Sequence, residues 1–273
     1  MGTNERPSPG GLEVVDQRYV ELYRRTQQIL GADPRVKAVE LSGSVALGTA
    51  DQWSDLDLKV ITTPEGFESF LSDWRIWVAR ITPTVFARRP IAPFIVNTLT
   101  TDGLTLDIAI YSGEAPPEYA GPARYSVGLL SSRQFDDLGD ALEYAVEEQL
   151  RGLAGPFITL IQRDEHMRHL TGVPHILGLL TTVFLAETGS PPPAKRWNRS
   201  FSAEQRDIVA ALPPVAATRE GVLSFGLAVA ELLVTRARPL YARYDRRWPN
   251  ELVQVAADRL ESELGLAVRD WLH

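Results

Sequence analysis

The chain of 273 residues contains no cysteine, only four histidines and only two methionines. Disulfides, thiolate catalysis and cysteine-built zinc sites are thereby excluded, and metal chemistry must fall to carboxylates or the few imidazoles. No run of Lys and Arg is long or dense enough to track a phosphate backbone, and the formal net charge is −7. Sequence-independent binding to long nucleic acid needs clustered cations, so such a partner is not expected. An acidic field of this sign favours the approach of small cations instead. Long hydrophobic runs are also missing. The two longest, at 173–186 and 222–234, are too short to cross a bilayer comfortably, and His175 and Glu231 interrupt them. Residues 1–11 are polar and rich in Pro and Gly, without the apolar centre of a signal peptide. A chain acting in the cytoplasm, away from membranes, is the expectation.

What is present is an apolar fraction of 44% with 23% charged residues, the balance of a folded protein large enough for two domains. Val15, Tyr19, Leu22, Thr26 and Ile29 recur at helical spacing, and Gly31 stands where a helix C-terminal glycine belongs. Short β-like runs follow at 36–41, 55–61, 82–87, 93–101 and 104–111, with a helix expected over 65–79. Asp102-Gly103 between the last two runs is a two-residue hairpin signal. From it, Thr101 would pair with Leu104 and Thr98 would lie opposite Asp107.

The segment 113–128 reads as a Pro/Gly-rich linker, and after it the β signal disappears. Helices are expected over 138–151, 157–170, 173–188, 203–212, 219–236 and 251–271. The stretch 222–233 is apolar on nearly every side and should be central to a bundle. The fold class is therefore α+β. An α/β domain with a mixed sheet spans 1–114, its first eleven residues flexible, and an all-helical domain at 129–273 supplies the substrate side of a cleft.

One glycine turn and three carboxylates carry the chemistry. The first β-run leads into Ser42-Gly43-Ser44 and a short helical start, an arrangement that can cradle an anion on backbone N–H groups. It is equally the arrangement of an ordinary glycine turn with Ser44 as helix N-cap. After ten intervening residues comes Asp55-Leu56-Asp57-Leu58-Lys59. In a strand, Asp55, Asp57 and Lys59 share one face while Leu56 and Leu58 share the other. Two carboxylates about 4 Å apart repel by roughly 4 kcal/mol at an effective dielectric near 20. A divalent cation held by both reverses that sign, and hard oxygen ligands suit Mg²⁺. Solvation at a strand end, or neutralisation by Lys59, is the alternative. In the last β-run Leu106, Ile108 and Ile110 take the core face, leaving Asp107 on the other, beside the first two acids or simply facing water.

Gly43-Ser44, ten residues, then Asp55-Leu56-Asp57-Leu58 resembles the signature of the polymerase-β-like nucleotidyltransferases, and Asp107 looks like their third acid on a neighbouring strand. The resemblance spans about Val36 to Tyr111, and Ser42 departs from the bulky apolar residue usual before the glycine. The order of an α/β domain and then a helical one is similar to the bacterial antibiotic nucleotidyltransferases that modify aminoglycosides or lincosamides. The resemblance implies transfer of a nucleoside monophosphate, AMP from ATP in the first instance, to a hydroxyl of a small and cationic acceptor, with release of pyrophosphate. It implies Mg²⁺ on Asp55 and Asp57, phosphate contacts from Gly43 and Ser44, and for Asp107 either a metal contact or the role of general base.

Lys195 and Arg196, beside Trp197 after three prolines, could clamp the triphosphate or belong to a plain surface loop. Glu143, Glu147 and Glu148 could receive ammonium groups of an acceptor, although a solvated helix face is the expectation. His166 and His169 are read as polar helix surface. Two other readings stand beside small-molecule transfer: modification of a protein or tRNA, as in toxin–antitoxin relatives, and a non-catalytic nucleotide-binding module.

Overall fold

A computed structural model describes residues 11–89, 94–113, 135, 137–190 and 197–272, the side chain of residue 197 excepted. The chain divides into two compact units, Met1–Gly121 and Pro122–His273. The architecture is α+β, a mixed five-stranded sheet in the first unit and helices in the second.

The first unit opens with helix α1 (Gln17–Gly31), whose N-cap Asp16 accepts a hydrogen bond from the Arg18 N–H. Tyr19, Val20, Leu22, Tyr23, Thr26 and Leu30 form its buried stripe. Gly31 is the last helical residue rather than a left-handed terminator, since Ala32 continues in right-handed geometry. Strand β1 (Val36–Leu41) runs into a one-turn helix, α2 (Gly43–Ala46). Next come β2 (Leu56–Thr62), helices α3 (Phe67–Ser72) and α4 (Trp74–Ile81), and strands β3 (Thr84–Arg88), β4 (Ile95–Thr100) and β5 (Thr105–Ser112). The single helix expected over 65–79 is broken at Asp73, whose N–H caps α3 while its C=O starts α4. The break lets the Phe70 ring stack on Trp77 at 5.2 Å, with the Trp77 indole N–H donating to Phe70 C=O.

The sheet order is β1-β2-β5-β4-β3, with β2 and β5 parallel and every other pair antiparallel. Leu56, Leu58, Val60, Leu106, Ile108 and Ile110 are at most 1% exposed and share the core with α1, α3 and α4. That pleat leaves the alternate residues of β2 and β5 on the opposite face.

The β4–β5 turn corrects the expected register. The Thr100 N–H bonds to Leu104 C=O, and only Gly103 takes positive φ (+83°). A two-residue type I′ turn would need positive φ at Asp102 as well; the chain uses a three-residue turn instead. The pairing moves by one, so Asn97 rather than Thr98 lies opposite Asp107. Thr98 faces the core, its hydroxyl donating to Leu106 C=O.

The second unit comprises α5 (Leu138–Ala154), α6 (Pro156–Gln162), α7 (His166–Thr188), α8 (Trp197–Ser200), α9 (Ala203–Ala210), α10 (Arg219–Arg243), α11 (Asn250–Leu264) and α12 (Arg269–Leu272). The break expected near 171–172 falls instead at Asp164, which takes positive φ (54°). Aspartate tolerates that conformation, and α7 then runs on through Gly172 and Pro174 because its later turns are buried. Likewise α10 continues through Pro239, held by buried Ala237, Leu240 and Tyr241, whereas α11 stops early at Gly265 (φ +67°). Both α5 and α10 are central: α5 packs against α6, α7, α10 and α11, and α10 also against α7 and α12. Among the described residues α7 alone is long and apolar enough, by length and composition, to cross a membrane, which corrects the expectation that no stretch reaches that length. It packs against α5 and α10.

Candidate metal centre

Parallel pairing of β2 and β5 places Asp57 in register with Asp107. Asp55 sits one residue before β2. It is set there by a tight turn in which Asp51 accepts from the Trp53 N–H and the Ser54 hydroxyl, while the Ser54 N–H bonds back to Asp51 C=O. Ser54 is 2% exposed, so the turn is anchored. One carboxylate oxygen from each of Asp55, Asp57 and Asp107 lies within 4.8 Å of the other two. Two carboxylates separated by five decades of sequence positions and one by its neighbour thus meet on the sheet face turned away from α1, α3 and α4.

The glycine of the turn is part of this cluster. Gly43 has φ +58°, and a Cβ there would fall 1.9 Å from Asp57 Oδ2 and 2.7 Å from its Cγ. Only a glycine lets the chain pass so close to the carboxylate. The Ser42 N–H donates to Asp57 C=O at 2.9 Å, tying the turn to β2. In α2 the Ala46 N–H bonds to Ser42 C=O and the Leu47 N–H to Gly43 C=O. A helix start of this kind leaves its first N–H groups, here those of Gly43, Ser44 and Val45, without intrahelical partners.

Electrostatics sets Asp57 apart within the cluster. Burial first, then the charges of Asp55 and Asp107, push the Asp57 carboxyl up to about 6. Lys59, the alternative neutralising partner, points elsewhere: its ammonium lies 3.6 Å from Glu40 and 5.0 Å from the centre of the Tyr111 ring. Three hard oxygen donors brought this close together fit a divalent cation such as Mg²⁺. At Mg–O near 2.1 Å two ligands of one ion lie at most about 4.2 Å apart.

The same register brings in residues that sequence reasoning missed. Asp57, Asp107, Asn97 and Arg88 form one row across β2, β5, β4 and β3. An amide and a guanidinium thus stand in line with the acids. The signal lay in the turn length, since a two-residue turn would have put Thr98 in that row.

Other expectations fare differently. Lys195 and Arg196 lie outside the described residues; Trp197 onward forms α8 rather than a loop. Glu148 is not on a solvated face: its side chain is 14% exposed and ion-paired to Arg151 at 2.5 Å. His169 is no surface residue either, being 2% exposed and edge-on to the Phe225 ring at 5.7 Å.

The profile of the family described as "Nucleotidyltransferase domain" matches residues 23–117, the stretch holding the later part of α1, the sheet and all three acids. Among solved structures, the chain is similar to an aminoglycoside 6-adenyltransferase from Bacillus subtilis, at 12% identity and a TM-score of 0.35, over 87% of this chain and 95% of that one. No curated protein sequence matches.

Proposed function

We propose, from the match of residues 23–117 to the nucleotidyltransferase domain family, that the protein transfers a nucleoside monophosphate, AMP from ATP, to a hydroxyl of a small acceptor and releases pyrophosphate. An aminoglycoside-like, cationic acceptor and a role in antibiotic resistance, exerted in the cytoplasm, belong to the same proposal. The observation that carries it is the convergence of Asp55, Asp57 and Asp107 within 4.8 Å.

Asp55 and Asp57 hold Mg²⁺ in this reading. The ion, when bound, offsets the charge of the triphosphate and of the departing pyrophosphate. Gly43 and Ser44 offer backbone N–H groups and a hydroxyl to the β- and γ-phosphates. Lys195 and Arg196 are assigned to the same anion. The acceptor oxygen attacks the α-phosphorus in line, its new P–O bond forming as the bond to pyrophosphate breaks. Asp107 takes the proton released by that hydroxyl, and it also contacts the metal. Its place beside Asp57 supports both roles. Proximity and fixed charge supply most of the acceleration, since the protein itself forms no covalent bond to the nucleotide.

A protein or tRNA acceptor would call for a cationic docking face, which a net charge of −7 does not favour. Retention of all three acids speaks against a non-catalytic module. The test is incubation with labelled ATP or GTP against a panel of hydroxylated antibiotics. Transfer of label to at least one small acceptor, with equimolar pyrophosphate, is expected. Label appearing only on protein or tRNA would overturn the small-molecule reading.

A further inference from the structure

Asn97 lies in the middle of β4, a kind of position in which asparagine is disfavoured. Its chain neighbours Val96 and Thr98 are 0% and 1% exposed and face the core. Asn97 therefore leaves the sheet on the face that carries the three acids. There it is partly exposed, and among the described residues its carboxamide makes no hydrogen bond or ion pair. The sheet itself makes no use of this side chain.

The ladder fixes how close Asn97 comes to Asp107. The Ile110 N–H bonds to Phe94 C=O and the Thr100 N–H to Leu104 C=O. Hydrogen-bonded and non-hydrogen-bonded pairs alternate along an antiparallel ladder. Asn97 and Asp107 are partners three positions from each of those pairs, so theirs is a non-hydrogen-bonded pair. Side chains come closest in such pairs, whose Cα atoms lie about 4.5 Å apart. On its other side Asp107 is in register with Asp57. Asp107 thus has an acid toward the metal and a neutral amide away from it. The next pair on this face, Ile95 and Ala109, is apolar and partly exposed.

We propose that Asn97 binds the acceptor and that the acceptor is a vicinal diol, one hydroxyl meeting Asp107 and the hydroxyl on the adjacent carbon meeting Asn97. This assignment rests on nucleotidyl transfer at the three aspartates. The metal and the phosphates take the Asp57 side, so the rest of the acceptor extends toward β4. The hydroxyl on Asp107 yields its proton to that carboxylate as its oxygen bonds to the α-phosphorus and the bond to pyrophosphate breaks. The adjacent hydroxyl keeps its proton and both accepts from the Asn97 N–H and donates to its C=O. An ammonium group in that place would use the amide oxygen alone, and a further acid would suit it better. With O–H···O contacts of about 2.8 Å, two heads this close are bridged by oxygens on adjacent carbons and not by groups at opposite ends of a ring. Ile95 and Ala109 offer the carbon skeleton an apolar surface.

The full chain is incubated with Mg²⁺, α-labelled ATP and a panel of aminoglycosides with their monodeoxy analogues, and the labelled hydroxyl is located by NMR. It should have a free hydroxyl on the neighbouring carbon. The analogue lacking that neighbour should react with kcat/KM at least about tenfold lower, since a site built to bond a hydroxyl rejects its absence. Asn97→Val removes the polar atoms and suits a strand better, so the variant should melt no lower than the parent. It should lose at least about tenfold in kcat/KM on the diol and treat the diol and its deoxy analogue alike within about twofold, with the KM for ATP within about twofold of the parent's. A residue that merely held the sheet together would not set that ratio. No label on any small acceptor sinks the transfer reading and this assignment with it. With transfer intact, a labelled hydroxyl that has no hydroxyl neighbour overturns the assignment alone, as does a tenfold diol preference surviving in folded Asn97→Val.

Discussion

Replacing Asp57 by Asn changes one atom type and should make the metal-free protein more stable. In the folded chain the Asp57 carboxyl is held near 6 against an ordinary 3.8, burial being the largest cause and the neighbouring acids the next. A carboxyl moved from 3.8 to about 6 corresponds to about 3 kcal/mol if fully felt. The side chain is only partly buried, so solvent screening reduces this to about 1–2 kcal/mol. The sign follows from linkage. A raised carboxyl pKa means that the folded state holds its proton more tightly than the unfolded one, so the metal-free parent gains stability as pH falls from about 6 toward 3.8. The full penalty applies above about 6. Asn carries no charge to repel, so at pH 7.5 in EDTA the variant should melt about 4–10 °C above the parent. Saturating Mg²⁺ with a non-hydrolysable triphosphate reverses the order: binding at a hundredfold over Kd adds about 2.7 kcal/mol to the parent, whereas the variant has lost a ligand. Calorimetry in both media reads the two effects. A variant that melts with or below the parent in EDTA, or that gains as much from Mg²⁺ and nucleotide, would refute the picture of two opposed acids awaiting a cation.

Gly43→Ala should lower transfer activity about a hundredfold while costing about 1–2 kcal/mol of stability, because its methyl group displaces the Asp57 carboxylate and its φ is positive; kinetics together with denaturant melts separate the two. The affinity for Mg²⁺ should fall about tenfold between pH 7 and pH 5, since Asp57 must lose its proton to ligate and does so around 6; titration at each pH checks it. Phe70→Ala, at a fully buried ring stacked on Trp77, should destabilise the first unit by about 3–5 kcal/mol, measurable by urea unfolding followed through Trp fluorescence.

Strand β1 (Val36–Leu41) falls where the apolar run and the following glycine turn place it, and β2 and β5 differ from expectation by one residue at each end. Their alternation also placed the leucines and isoleucines inward and the aspartates outward, because a pleat allows no other partition. Less legible was the register: Asp102-Gly103 advertised a two-residue turn, and the choice of a longer one depended on the φ of a single residue. Helix breaks misled for a related reason. Gly172 and Pro174 are local breakers, but burial of the later turns of α7 outweighs them. The left-handed Asp164, by contrast, sat in a sequence with no glycine to announce it. Glu148 and His169 looked like surface residues on their helices because their neighbours in space come from other segments. A pair of like charges joined by parallel strands 50 residues apart was legible only through motif spacing, since nothing local links Asp57 to Asp107.

Mn²⁺ binding in the presence of a non-hydrolysable ATP analogue, followed by electron paramagnetic resonance, puts the role of the acids to the most direct test. The parent should immobilise Mn²⁺ only when the analogue is present or much more tightly with it, and Asp57→Asn should lose that signal while remaining folded. Parental Mn²⁺ binding by the folded variant would contradict the assignment of the three aspartates as the metal centre.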